Sequence, residues 1–159
     1  MYSNKRVEAI VALLGTSGWS MIEDEIIYHD ENLNNITEED IENSLLMILK
    51  KSQKVEINTA IKERQLSPVT VRGRKFYGGR EAGQKYNEAY MLAKMMGLSE
   101  GKFKSVDSGM VVVDEAYANE IIIKVASTSY GLWLKEQGYI TQVDMATTAE
   151  DVEAIIWED

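Results

Sequence analysis

Cysteine is missing from this sequence, and proline and histidine each occur once, at Pro68 and His29. Without a thiol the chain has no disulfide framework, no thiolate metal site and no cysteine nucleophile, and it fits a reducing compartment. The single imidazole, His29, lies between Tyr28 and Asp30, and a neighbouring carboxylate is what a general base needs to hold its ring. The end of a strand accounts for the same residues and is the expectation for His29. A serine nucleophile would need a strained Gly-x-Ser-x-Gly turn, which the sequence lacks. The expectation is a protein that is not an enzyme, with no catalytic residue, cofactor or metal.

Long apolar runs are missing too. The segments around Leu45 to Leu49 and Ile121 to Ala126 fall far short of the roughly 20 residues that cross a bilayer. The run from Ala9 to Leu14 follows Glu8 and has no small-residue cleavage site, so neither a membrane span nor a signal peptide is expected. Positive charge is scarce as well: 17 Lys and Arg face 26 Asp and Glu, a net −9. That excess repels nucleic acid at long range. It is uneven, however. Residues 59–105 hold ten bases against four acids, whereas 1–58 hold five against eleven and 106–159 two against eleven.

Hydrophobic residues make up 45% of the chain and charged ones 27%, which excludes disorder and fibrous designs. Val7, Ile10, Val11 and Leu14 recur at helical spacing before Gly15, so a first helix is expected over Asn4 to Leu14. Two β-favouring stretches, Trp19 to Ile22 and Ile26 to Tyr28, surround the polar Glu23-Asp24-Glu25 and predict a hairpin. A polar loop, Asn32 to Asn35, precedes Thr37, which with Asp40 three residues on makes a helix start. The helix should run to Gln65 with an apolar face of Ile41, Leu45, Ile48, Val55 and Thr59, widened by Leu49, Ile57 and Ile61.

Pro68 stops that helix. Val69 to Val71 and Lys75 to Tyr77 flank Arg72-Gly73-Arg74, a hairpin with glycine in its turn. A helix with Tyr86, Ala89, Tyr90, Ala93 and Met96 on one face should follow to Gly97. A second hairpin turns at Asp107-Ser108-Gly109, with strands over Lys102 to Val106 and Met110 to Val113. Asp114 caps a long helix with the stripe Tyr117, Ile121, Val125, Thr128 and Leu132, beside Ile122 and Trp133, ending before Gly138. Thr147 to Glu150 reads as a capping box for a last helix through Val152, Ile155 and Ile156 to Trp157. The fold class is therefore α+β: an N-terminal helix and hairpin lobe (1–36), a long connecting helix (37–66), and a C-terminal lobe (67–159) of two short hairpins packed with helices.

Motifs for chemistry are weak. The acids at Glu38, Glu39, Asp40 and Glu42 lack the spacing and central glycine of a calcium loop and suit a first helical turn. The glycines near Arg72 and Tyr77 match neither the Walker nor the dinucleotide pattern. Arg72, Arg74, Lys75 and Arg80 around Phe76 and Tyr77 form a basic aromatic hairpin of the kind that grips nucleic acid. Against the net charge, an acidic surface on this chain, a second copy or a partner is the better match.

From Ile57 onward the order of pieces resembles an uncharacterised domain family of tailed-phage tail-fibre and tail-assembly proteins. The landmarks are Ile61-Lys62-Glu63-Arg64, the hairpin Val69 to Phe76, a helix, Val111-Val112-Val113, the helix from Asp114, and the closing Ala146 to Trp157. Trp19 to Tyr28 and Thr37-Glu38-Glu39 are similar to small phage tail proteins and fibre-assembly chaperones, which often have a proline before the threonine; here Ile36 stands there. The resemblance implies a tail-fibre assembly chaperone or fibre-associated protein that works by protein–protein binding, in the host cytoplasm during assembly or in the virion tail. It implies a fibre or baseplate protein as partner. Contact residues on this reading are Arg72, Arg74, Phe76 and Tyr77 at one surface and Ile156 with Trp157 at another. The long helix, with Leu45 and Ile48 on one seam, suggests a homo-oligomer. The alternatives are a permanent structural component of the tail or baseplate and an acidic phage-encoded inhibitor of a host protein.

Overall fold

The computed structural model describes residues 2–15, 17, 19–22, 25–29 and 36–158. The turn at Glu23 and Asp24, the carboxylate of Asp30 and the loop Asn32 to Asn35 lie outside them. In chain order the elements are α1 (Tyr2–Leu14), β1 (Trp19–Ile22), β2 (Glu25–Tyr28), α2 (Glu38–Gln65), β3 (Val69–Val71), β4 (Arg74–Phe76), α3 (Arg80–Met95), β5 (Glu100–Ser105), β6 (Gly109–Asp114), α4 (Glu115–Met145) and α5 (Ala149–Glu153). The fold is α+β, with two small antiparallel sheets among the helices. No helix among the described residues is long and apolar enough to cross a membrane.

Contacts divide the chain into a terminal unit, Met1–Ile57 with Tyr139–Asp159, and a central unit, Asn58–Gly138. This differs from a division at 36 and 66: the last 21 residues group with the N-terminal elements rather than with the hairpins. Charge separates the same way. The central unit has twelve Lys and Arg against nine Asp and Glu, a net +3, and the terminal unit five against seventeen, a net −12.

In the terminal unit, Ala9, Leu45, Leu49 and Val152 form one buried cluster, and Ile10, Leu14 and Ile41 form another beside Trp19, Met21 and Ile26. α2 begins on a reciprocal cap. The Thr37 amide donates to Asp40 Oδ2 (2.8 Å) and the Asp40 amide to Thr37 Oγ1 (3.2 Å), which satisfies amides that a helix start leaves without intrahelical partners. The buried line along α2 is Ile41, Leu45, Leu49, Ile57 and Ile61, whereas Val55 is 58% exposed and Thr59 is exposed. These buried positions follow steps of four. Each such step turns about 40° past a full circle, so the line winds round the helix instead of holding the single face that alternating steps of three and four would give.

α4 passes through Gly138 to Met145, eight residues beyond its expected end. A glycine in a helix interior costs about 1 kcal/mol relative to alanine, and anchors such as Val143, fully buried, outweigh it. Thr128 and Trp133 of the expected stripe are exposed. The last capping box sits one residue later than the sequence suggests. Thr148 accepts from the Asp151 amide, the Asp151 carboxylate accepts from the Thr148 amide, and α5 ends at Glu153, leaving Ile155 to Trp157 outside it.

The central unit is a four-stranded sheet in the order β3-β4-β5-β6 with α3 and the first part of α4. Alternation puts Val69, Val71, Phe76, Phe103, Val111 and Val113 on its buried face, where they meet Tyr86, Tyr117, Ile121 and Val125. The Phe76 ring stands edge-on to Tyr86 and Tyr117, with centroids 6.1 and 5.9 Å apart, and Tyr86 stacks on Phe103 at 4.9 Å. α3 closes with a Schellman pair, Gly97 N–H to the Lys94 carbonyl and Leu98 N–H to that of Ala93.

Between β4 and α3 the chain passes so close to the end of α2 that a Cβ on Gly78 would lie 2.1 Å from the Ser67 carbonyl oxygen. Backbone cannot give way as a side-chain tip does. Gly78→Ala is therefore expected to cost about 2–3 kcal/mol and to lower the melting midpoint by roughly 5–10 °C, read by circular dichroism.

Candidate protein-binding groove

The basic hairpin is built by its turn. Two-residue hairpin loops of the I′ type need positive φ at both central residues, and Arg72 (48°) and Gly73 (77°) provide it. Val69 then pairs with Phe76, Thr70 with Lys75 and Val71 with Arg74. Arg72 is committed internally: its Nε and Nη2 donate to the two Glu120 oxygens at 2.8 and 2.6 Å, and its guanidinium lies 4.6 Å from the centre of the Tyr117 ring. Those hydrogen bonds hold the Glu120 carboxyl below the usual carboxylate range. Arg74 is exposed. Phe76, with 0% of its surface accessible, is core and not a contact residue, because β4 alternation turns it onto the buried face. Ile156 is 69% exposed, while Trp157 is half-buried with its ring 5.1 Å from that of Tyr139; both belong to the terminal unit. Tyr77, 42% exposed, is the expected contact residue that lines a cavity.

That cavity forms where the sheet splits. β4 and β5 share one pair, Phe76 with Ser105. On one side of it the Val106 amide donates to the Lys75 carbonyl at 2.8 Å, while the Lys75 amide turns to Asp107 Oδ2 at 3.1 Å. On the other side the next rung is opened by a side chain. The Tyr77 amide donates to the Tyr86 hydroxyl (3.0 Å), which donates to the Lys104 carbonyl (2.8 Å). Burial pushes the Tyr86 hydroxyl up from the ordinary tyrosine range, which keeps it a donor.

Beyond this bridge the strands part around a groove of about 440 Å³. Leu66, Ala82, Ala89, Phe103 and Met110 supply its apolar surfaces, and Lys85, Lys102 and Lys104 stand at its rim. Lys85 is paired with Glu81 at 2.7 Å. Among the described residues Lys102 and Lys104 have no acidic partner; Lys104 Nζ stands 5.9 Å from the centre of the Tyr77 ring. The sequence offered one signal for this site, the alternation Lys102-Phe103-Lys104 opposite Met110-Val111-Val112. It marked a half-buried strand without showing that the neighbouring strand stops short. Three further apolar side chains at the end of α3, Leu92, Met95 and Met96, are more than half exposed.

Tyr86→Phe removes both bridging hydrogen bonds and leaves an amide and a carbonyl without their partner. The expected cost is about 1–3 kcal/mol at neutral pH by urea denaturation. A raised tyrosine pKa gives stability that is whole below the ordinary value of 10.0 and is lost as pH rises through the folded value, so the variant should lose less stability than the parent above pH 10. Compared with known proteins, the chain matches no family model, no curated protein and no solved structure.

Proposed function

We propose that this chain acts by binding other proteins, as an assembly chaperone for a phage tail fibre or as a fibre-associated protein. The groove beside β5 carries the binding half of this reading: it joins apolar surface, two lysines with no acidic partner among the described residues and a strand edge, which together suit a polypeptide better than a reacting small molecule. The exposed Leu92, Met95 and Met96 suit an unfinished fibre, since methionine adapts to irregular apolar partners. The fibre half rests on the resemblance of the hairpin, helix and closing segments to tail-assembly proteins. A permanent place in the tail or baseplate uses the same surfaces.

Acidic inhibition of a host protein gains one observation, the gathering of net charge −12 in the terminal unit, where the linear sequence shows acids interrupted by a basic middle.

Co-expression with a neighbouring fibre gene tests the chaperone reading. The fibre should be soluble and co-elute only in the presence of this chain, and mass spectrometry of intact virions should not find the chain. A fixed copy number in virions would assign it to the particle, and a fibre equally soluble without it would overturn the proposal.

A further inference from the structure

The Lys104 carbonyl and the Val106 amide both point away from β6, one to the Tyr86 hydroxyl and the other to β4. In an antiparallel strand the amide and carbonyl of one residue point the same way and alternate residues share a side. The backbone groups of Lys102 therefore face the open edge too, and among the described residues no strand lies beside them. Their side chains take the opposite logic. Lys102 and Lys104 pair with Val112 and Met110 and are exposed with them.

We propose that the split between β4 and β5 receives an extended segment of a partner protein in which acidic residues alternate with apolar ones, laid along β5 as an added strand. This deepens the protein-binding reading and rests on it. Lys102 and Lys104 stand two residues apart, about 7 Å along the strand. An added strand presents its own alternate side chains at that spacing, so Asp or Glu at every second position meets both ammonium groups. The residues between them drop towards Ala82, Ala89 and Phe103. The lysines also decide against a second copy in the same place, because β5 against β5 would bring lysine to lysine, and like charges facing across strands are unfavourable. At the closed end of the opening the Tyr86 hydroxyl accepts from the Tyr77 amide and donates to the Lys104 carbonyl.

The probe is a displayed library of random twelve-residue peptides panned on the full chain, with the most enriched sequence then made synthetically and titrated by fluorescence anisotropy. Expected are sequences alternating Asp or Glu with Val, Ile, Leu or Phe, and at least tenfold weaker binding to a Lys102→Glu, Lys104→Glu variant. Both lysines are exposed and have no acidic partner among the described residues, so that variant should keep its circular dichroism and melting midpoint. Met110→Glu, which places a carboxylate in the groove, is a second variant if it does not. Arg74→Glu with Lys75→Glu makes the same change of charge on β4 and should bind as the parent does.

Several results would overturn the proposal. These are no enriched sequence, enrichment of basic peptides, binding that survives both groove variants, binding lost only with the β4 pair, or a concentration-dependent dimer that the groove variant dissolves. Peptide binding as expected with no effect on fibre solubility leaves the groove standing and removes the fibre. A fibre solubilised equally well by the groove variant does the reverse.

Discussion

One phenolic hydroxyl sets the geometry of the central unit. An antiparallel sheet with Phe76 opposite Ser105 would ordinarily place a direct hydrogen bond between the Tyr77 amide and the Lys104 carbonyl. Tyr86 inserts its oxygen into that rung and bonds to both. Its ring can do so because it is anchored from two directions, stacked on Phe103 and met edge-on by Phe76. Aromatic burial thus fixes where the hydroxyl sits, and the hydroxyl fixes where the sheet opens.

The consequences spread along both strands. β4 is short because its next residues, Tyr77 and Gly78, are drawn towards the end of α2, where the absence of a side chain on Gly78 permits backbone contact. β5 keeps its full ladder with β6 on one edge and loses its neighbour on the other. Exposed strand edges invite indiscriminate pairing, and lysines on an edge are a common defence. Here the same lysines restrict what can pair, which turns a hazard into a preference for acidic partners. The Arg72 to Glu120 pair, although the most conspicuous basic feature of the hairpin, is exposed on both sides, and such pairs contribute little stability. Its role is to hold the turn against Tyr117.

How much of this the amino-acid sequence revealed follows the range of the interactions. The caps at Thr37 and Asp114, the hairpin turns at Gly73 and Gly109 and the stop at Pro68 depend on a few adjacent residues, and each lies where local chemistry places it. The α+β class follows from their order. Where a decision depended on distant partners, pattern alone failed. On α2, Ile41, Leu45, Leu49, Ile57 and Ile61 are buried as expected, but Val55 and Thr59, placed on the same face by alternating steps, are exposed. α4 ran on past Gly138, and the closing segment joined the N-terminal elements instead of the hairpins. At the candidate site the same rule holds. Arg72, Arg74 and Tyr77 are exposed, but Phe76 belongs to the core, and the groove was invisible because a split between strands leaves no mark in either strand's own sequence. Tyr86 looked like core from its spacing, and its ring is; the position of its hydroxyl is a property of the assembled sheet.

Amide hydrogen exchange on the isolated chain, resolved residue by residue by NMR, tests the split most directly. The amides of Tyr77, Val106 and Phe103 should exchange slowly, because each has a partner, while the amide of Lys102, one residue from Phe103, should exchange at close to the open-chain rate. Protection of Lys102 equal to that of Phe103 would mean that the edge of β5 is already paired, and the groove would not be the open site described.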